Sequence, residues 1–209
     1  MKDLIIVGAG GFGRELLQWC KDINKQQPTW KLKGFIDDNS KALDGYECDY
    51  KVIGSIKDWK PSENEEFALA VAEPHLKEKI VSILKDKGAN FTSIIHPRAI
   101  VCDFSKIGEG IILYPNTTIG PNTIIGNFTT IFSGIGHDAI IEDFVTISSM
   151  CDICGHAFIG KRTFLASHAV VIPSKKIGSD CYIGAGSVVI KNIPPNSKTF
   201  GNPAKIFDF

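Results

Sequence analysis

The sequence predicts two parts of different class: an α/β half with a small parallel sheet over residues 1–94, and an all-β parallel β-helix over residues 95–209. Three observations carry this. The first half alternates short apolar runs with stretches of helical spacing. The second half has an apolar residue every sixth position. The change of rhythm falls beside His96-Pro97.

In the first half, Leu4–Val7 is a short apolar run that reads as a buried strand. It leads into Gly8-Ala9-Gly10-Gly11-Phe12-Gly13, after which Phe12, Leu16, Trp19, Cys20 and Ile23 recur at the spacing of an amphipathic helix. Leu32–Ile36 reads as a second strand, ending at Asp37-Asp38, and Phe67–Val71 as another. Leu76, Ile80, Ile83 and Leu84 mark a second helix closed by Gly88, and Phe91–Ile95 reads as a last strand. This β-α-β order implies a parallel sheet with helices on its faces.

In the second half, Ile95, Val101, Ile107, Leu113, Ile119, Ile125 and Ile131 follow one another at intervals of six. A second series runs from Ile135 through Ile141, Ile147, Ile153, Ile159, Leu165, Val171, Ile177 and Ile183 to Val189. Neither helices nor ordinary strands have this period; stacked hexapeptide coils do. Each hexapeptide makes one short strand and one turn, and three make a triangular coil with the aliphatic residue inside. Burial of each such side chain contributes roughly 1.5–3 kcal/mol. The glycine that often follows suits a corner of unusual backbone angle or close approach. Residues 95–194 supply between five and six coils. The two series are out of step, because Ile131 and Ile135 are only four apart. This two-residue deletion is expected to shorten one face and alter the corner beside His137.

Gly8-x-Gly10-x-x-Gly13 follows a strand and opens a helix, which is the setting a phosphate-binding fingerprint requires. Glycines admit a pyrophosphate to the backbone, and the helix N-terminus supplies unpaired N–H groups. Asp37 or Asp38 is placed to bind ribose hydroxyls or base donors. The segment before Ile95 is too short for a full dinucleotide fold, so one Rossmann-like half and one nucleotide are expected.

Lys plus Arg balances Asp plus Glu at 23 each, so no basic field supports nucleic-acid binding. The apolar start is too short for a signal peptide or a membrane span, which points to the cytoplasm. The six scattered cysteines fit reduced thiols there.

The GxGGxGRE-like start, the strand ending in Asp37-Asp38, Ile95-His96-Pro97-Arg98-Ala99, the hexapeptides, Gly136-His137-Asp138 and the tail Gly201-Asn202-Pro203-Ala204-Lys205 together resemble the bacterial sugar acetyltransferases of the PglD/NeuD type. The resemblance spans almost the whole chain. It implies a left-handed coil, whereas generic crossover rules favour the right hand. It implies an acetyl-CoA-dependent enzyme of surface glycan synthesis, with no metal, that N-acetylates a nucleotide-linked amino sugar of the UDP-4-amino type. Sialic acid O-acetylation is the alternative. The resemblance further implies a homotrimer with CoA in the groove between adjacent β-helices.

Residue by residue, the resemblance assigns nucleotide-sugar contacts to Gly10, Gly11, Phe12, Asp37, Asp38, Ala72 and Glu73. It assigns acetyl-CoA contacts to Thr146, Gly155, Ser167 and Ala185, with the Gly155 N–H facing the thioester oxygen. His137 becomes the proton acceptor, with Asp138 fixing its tautomer. Two positions depart from the family. Ala72-Glu73 stands where Gly-Asn is usual, and Glu73 would repel a phosphate unless it points away or is paired. Thr146 stands where a second histidine is usual. Lys205 is placed either against a CoA phosphate or in solvent. His96 reads as structural, and His75, His156 and His168 as surface residues. A more distant reading, a zinc trimer of carbonic-anhydrase type using His137, His156 and His168, conflicts with the six-residue period, which separates His156 from His168. Cys151-x-x-Cys154 alone is a weak zinc signal.

Overall fold

The computed structural model describes residues 1–207, which form two compact units, Met1–Pro97 and Arg98–Phe209, the last two residues of the second lying outside the described range. The division falls three residues beyond the expected boundary.

The first unit is a four-stranded parallel sheet in the order β3-β2-β1-β4, from β1 (Lys2–Val7), β2 (Trp30–Ile36), β3 (Val52–Gly54) and β4 (Glu65–Leu69). Helices α1 (Gly11–Gln26) and α2 (Pro74–Lys85) complete it. Leu4 to Val7 are fully buried, as an apolar run in a sheet covered on both faces must be. Leu16, Leu17, Trp19 and Cys20 form the buried stripe of α1. β3 was not legible, since Val52–Gly54 is a three-residue edge strand of partly exposed residues. The expected strand Phe91–Ile95 is reduced to a bridge between Phe91 and Phe67 and a two-residue strand β5 (Ile94–Ile95). α2 departs from a simple apolar face by burying Lys77. Burial brings its ammonium down to about 7, partly offset by the charge of Glu73.

The second unit is a left-handed parallel β-helix. Its two-residue strands run from β6 (Ile100–Val101) to β21 (Val188–Val189) and stack into three sheets. The inward residues pair in register along each sheet: Leu113, Ile131, Ile147, Leu165 and Ile183 on one, and Ile119, Ile135, Ile153, Val171 and Val189 on the next. They form one continuous core. Val101 is 38 % exposed because it belongs to an end coil with no coil stacked below it. The tail folds into β22 (Lys198–Phe200) and antiparallel β23 (Lys205–Phe207), with Lys205 exposed opposite Phe200.

The corners separate the two roles expected of glycine. The glycine after each inward residue keeps an ordinary φ and is needed for close approach: a Cβ on Gly120 would lie 2.6 Å from the His137 nitrogen in the next coil. The left-handed conformation falls two residues later, mostly on non-glycine residues such as Asn122, Asp138, His156 and Ser174. Asn, Asp and His adopt it more readily than most.

The deletion sits in the corner between β11 (Thr130–Ile131) and β12 (Gly134–Ile135), one corner earlier than expected. Phe132-Ser133 there replaces a four-residue corner such as Tyr114–Thr117, while the corner carrying His137 keeps its four residues. Ser133 preserves the bonding of the longer corners: its hydroxyl donates to Ser148 O at 2.7 Å and accepts from Cys151 N at 2.9 Å. Thr163 does the same in its own corner with Gly178 O and Cys181 N. The inward stack therefore continues past the slip, with Ile135 in register with Ile119 and Ile153, although β12 pairs with the preceding strand through Ile135 alone.

Candidate active site

His137 and Asp138 occupy the corner between β12 and β13 (Ile140–Ile141). Asp138 adopts φ 58°, held by its N–H bond to Pro121 O at 3.0 Å. This corner conformation turns the carboxylate back onto the preceding residue. Asp138 Oδ2 lies 2.6 Å from His137 Nδ1. An ionised carboxylate only accepts, so Nδ1 is the donor in this contact, and in the neutral ring Nε2 then presents a lone pair. That is the tautomer a general base requires.

The imidazole lies over Gly155, one coil further on. A Cβ at Gly155 would sit 2.6 Å from both Cε1 and Nε2 of His137. Only glycine leaves room for the ring, and the basic nitrogen is thereby held beside the Gly155 backbone.

His156 completes the cluster. Its Nε2 lies 3.8 Å from Asp138 Oδ2, and its ring meets that of His137 edge-on, with centroids 5.2 Å apart. The ligating atoms of His137, Asp138 and His156 lie within 4.8 Å of one another. From sequence His156 reads as a surface residue; the structure sets it beside Asp138 and His137. The signal that would have found it is the coil period: Asp138 and His156 are eighteen apart and stack in one column. His168 stacks instead with Met150 and Gly186 on another edge, through its N–H bond to Ser149 O, so the three histidines of the zinc reading do not converge.

The other expected acetyl-CoA contacts are not gathered around His137 within the chain. Ser167 and Ala185 stack on the corner at the opposite edge of the β15–β18–β21 face (Asp152–Ile153, Val170–Val171, Val188–Val189), joined by the Gly186 N–H bond to Ser167 O. Thr146 is buried on the adjoining sheet, between Thr130 and Phe164.

In the first unit the glycine loop has the geometry of the fingerprint. Gly13 packs so tightly that a Cβ would lie 2.1 Å from Gly8 O, while Gly10 faces open space at the N-terminus of α1. Gly11 is exposed and Phe12 half-buried beside it. Gly8 lies against Ala70 and Val71 at the end of β4. β1 is flanked by β2 on one side and β4 on the other, so this is the point where strand order reverses and ligands of open α/β sheets bind. Asp37 accepts from Ala9 N and Asn39 N, each at 2.8 Å, and so braces the loop. Asp38 accepts from Ile56 N at 2.9 Å. Glu73 caps α2, accepting from His75 N and Leu76 N, and Ala72 precedes it half-buried. The Glu73 charge is thus directed at its own helix terminus.

Outside these clusters, His96 is buried with Nε2 3.7 Å from Asp22 Oδ2. All six cysteines are free thiols, and burial pushes Cys151 up to about 11. No helix among the described residues is long and apolar enough to cross a membrane.

A left-handed β-helix carrying a His–Asp pair on one edge, preceded by a nucleotide-type α/β half, defines a two-part enzyme of hexapeptide type. Comparison with known proteins narrows the class. Residues 3–84 match the family model of the PglD N-terminal domain. The chain is 31 % identical to a GDP-perosamine N-acetyltransferase of Escherichia coli, covering 96 % of this chain and 94 % of that protein. Among solved structures, WeeI from Acinetobacter baumannii is 30 % identical with a TM-score of 0.79, covering 99 % of this chain and all of that one. A perosamine N-acetyltransferase variant from Caulobacter crescentus, solved with CoA and GDP-perosamine, has a TM-score of 0.89 at 22 % identity, covering 100 % of this chain and 98 % of that one. The chain belongs to the PglD/NeuD-type family of sugar acetyltransferases.

Proposed function

We propose that the protein transfers the acetyl group of acetyl-CoA to the amino group of a nucleotide-linked amino sugar, with His137 as general base. The observation that carries this reading is the 2.6 Å contact of His137 Nδ1 with Asp138, which leaves Nε2 basic beside Gly155.

The amine nitrogen attacks the thioester carbonyl. As the C–N bond forms, the amine becomes acidic and Nε2 takes its proton. Asp138 stabilises the resulting imidazolium. The Gly155 N–H is assigned to the oxygen on which negative charge develops. When the C–S bond breaks, the departing thiolate of CoA recovers the proton from Nε2. Thr146, Ser167 and Ala185 are assigned to CoA. Since Ser167 and Ala185 lie on a different edge from His137, a CoA-filled groove built from two copies suits these two better than a site in one chain, while Thr146, buried on the adjoining sheet, backs that edge from inside. This supports self-association, which the family resemblance makes a homotrimer.

The Rossmann-like half is assigned the nucleotide. Phosphates are placed at Gly10, Gly11 and Phe12 on the N-terminus of α1, and the nucleoside near Asp37, Asp38, Ala72 and Glu73. The capping role of Glu73 removes the objection that it would repel the phosphates. The near-full-length relative favours a GDP-linked perosamine-type acceptor over the UDP-4-amino sugar expected from sequence. The cytoplasm, where sugar nucleotides and acetyl-CoA are available, is the compartment this activity requires.

The test is CoA release from acetyl-CoA against GDP-, UDP- and dTDP-linked 4-amino sugars and free and CMP-linked sialic acid, with product masses checked. An added acetyl on one amino-sugar nucleotide supports the proposal and names the nucleotide. Turnover with sialic acid alone would replace it with O-acetylation.

A further inference from the structure

Asp138 Oδ2 faces two imidazoles. His137 Nδ1 lies 2.6 Å away in the same coil, and His156 Nε2 lies 3.8 Å away in the next. The arrangement is rigid in its backbone: His156 donates its N–H to His137 O at 3.0 Å, and both Asp138 and His156 hold φ 58° in one column of corners. The rings of His137 and His156 stand at 89° to one another.

We propose that His156 is a positioning residue that acts on His137 through Asp138. The inference rests on the assignment of His137 as base. Asp138 is a half-buried short side chain, still 38 % accessible, and in its own coil its carboxylate is held by the His137 contact. A second imidazole beside the same oxygen opposes rotation of the carboxylate into solvent. At 3.8 Å the contact is longer than a direct hydrogen bond, so it acts as a charge–dipole contact or through one bridging water. The His156 ring, perpendicular to that of His137, also closes one side of it, while Gly155 packs against its Cε1 and Nε2 atoms. The base is thus held by two residues of the next coil, Gly155 and His156, and by its own neighbour Asp138, instead of by the Asp138 pair alone.

The experiment is a double-mutant cycle on the full chain, using acetyl-CoA and whichever nucleotide-linked amino sugar of the acceptor panel is turned over. Wild type, Asp138→Ala, His156→Ala and the double variant are compared, with His156→Gln as the conservative replacement. His156→Ala is expected to lower kcat about tenfold by loosening the base. KM for both substrates should stay within about twofold, and His156→Gln should recover part of the loss. In the Asp138→Ala background the same change should alter kcat by less than about twofold, because the group it acts through is gone. Independent effects that multiply would overturn the proposal, as would a wild-type kcat for His156→Ala. A loss confined to KM would also overturn it, showing contact with substrate instead. His137→Ala run alongside separates the two readings: wild-type turnover there removes the base assignment itself, whatever the cycle shows.

Discussion

The imidazole of His137 rests on Gly155 so closely that a single methyl at Gly155 would lie 2.6 Å from Nε2. Gly155→Ala is therefore expected to displace the ring. A displacement on the order of 1 Å at a reacting group costs about 100-fold in rate. Steady-state turnover should show a kcat loss of that order, while the thermal midpoint changes little because Gly155 lies at the half-exposed edge of the prism.

Asp138→Asn keeps the shape of the side chain and removes its charge. Its amide can donate to Nδ1, which favours the wrong tautomer and leaves Nε2 protonated. A drop in kcat of about 100-fold or more is expected, with acetyl-CoA affinity preserved. A binding isotherm beside the rate measurement would show both.

Lys77 gives the fold a pH dependence. Its folded value of about 7 lies below that of an unfolded lysine, ~10.4. Between these values the unfolded chain takes up a proton that the folded chain does not. The contribution of Lys77 to stability therefore falls as pH drops through that window, and it levels off below the folded value. Lys77→Met has no such group. Urea denaturation of both proteins should show wild type losing ground to the variant from pH 10 to pH 7, with a constant difference below pH 6.

Ser133 carries the shortened corner. Removing its hydroxyl leaves Ser148 O without that donor and Cys151 N without that acceptor in a buried position. Ser133→Ala is expected to cost about 1–3 kcal/mol, read as a lower denaturation midpoint with kcat unchanged in the folded enzyme.

The coil architecture was legible because burial repeats strictly: Leu113, Ile131, Ile147, Leu165 and Ile183 must all be aliphatic to stack in one sheet. The parallel α/β half was legible for a similar reason, since Leu4–Val7 and the α1 stripe have clear periods. β3 escaped because three partly exposed residues carry no pattern. At the site, His137-Asp138 was legible as a local dipeptide. His156 was not, because its place beside Asp138 comes from stacking of coils eighteen residues apart, and the six-residue period describes faces more readily than columns. The carboxylates of Asp37, Asp38 and Glu73 illustrate a related limit. Sequence marks them as polar groups at strand and helix ends, but their backbone partners, Ala9, Ile56 and Leu76, are set by how loops close.

The central claim is that His137 Nε2 takes the proton of the attacking amine. The most direct test is kcat of His137→Ala with acetyl-CoA and the accepted amino-sugar nucleotide, measured beside its affinity for CoA. General-base catalysis typically contributes about 10²–10⁴-fold, so kcat should fall by that factor with CoA binding intact. Turnover at the wild-type rate would contradict the account and leave the His137–Asp138 pair a feature of the corner alone.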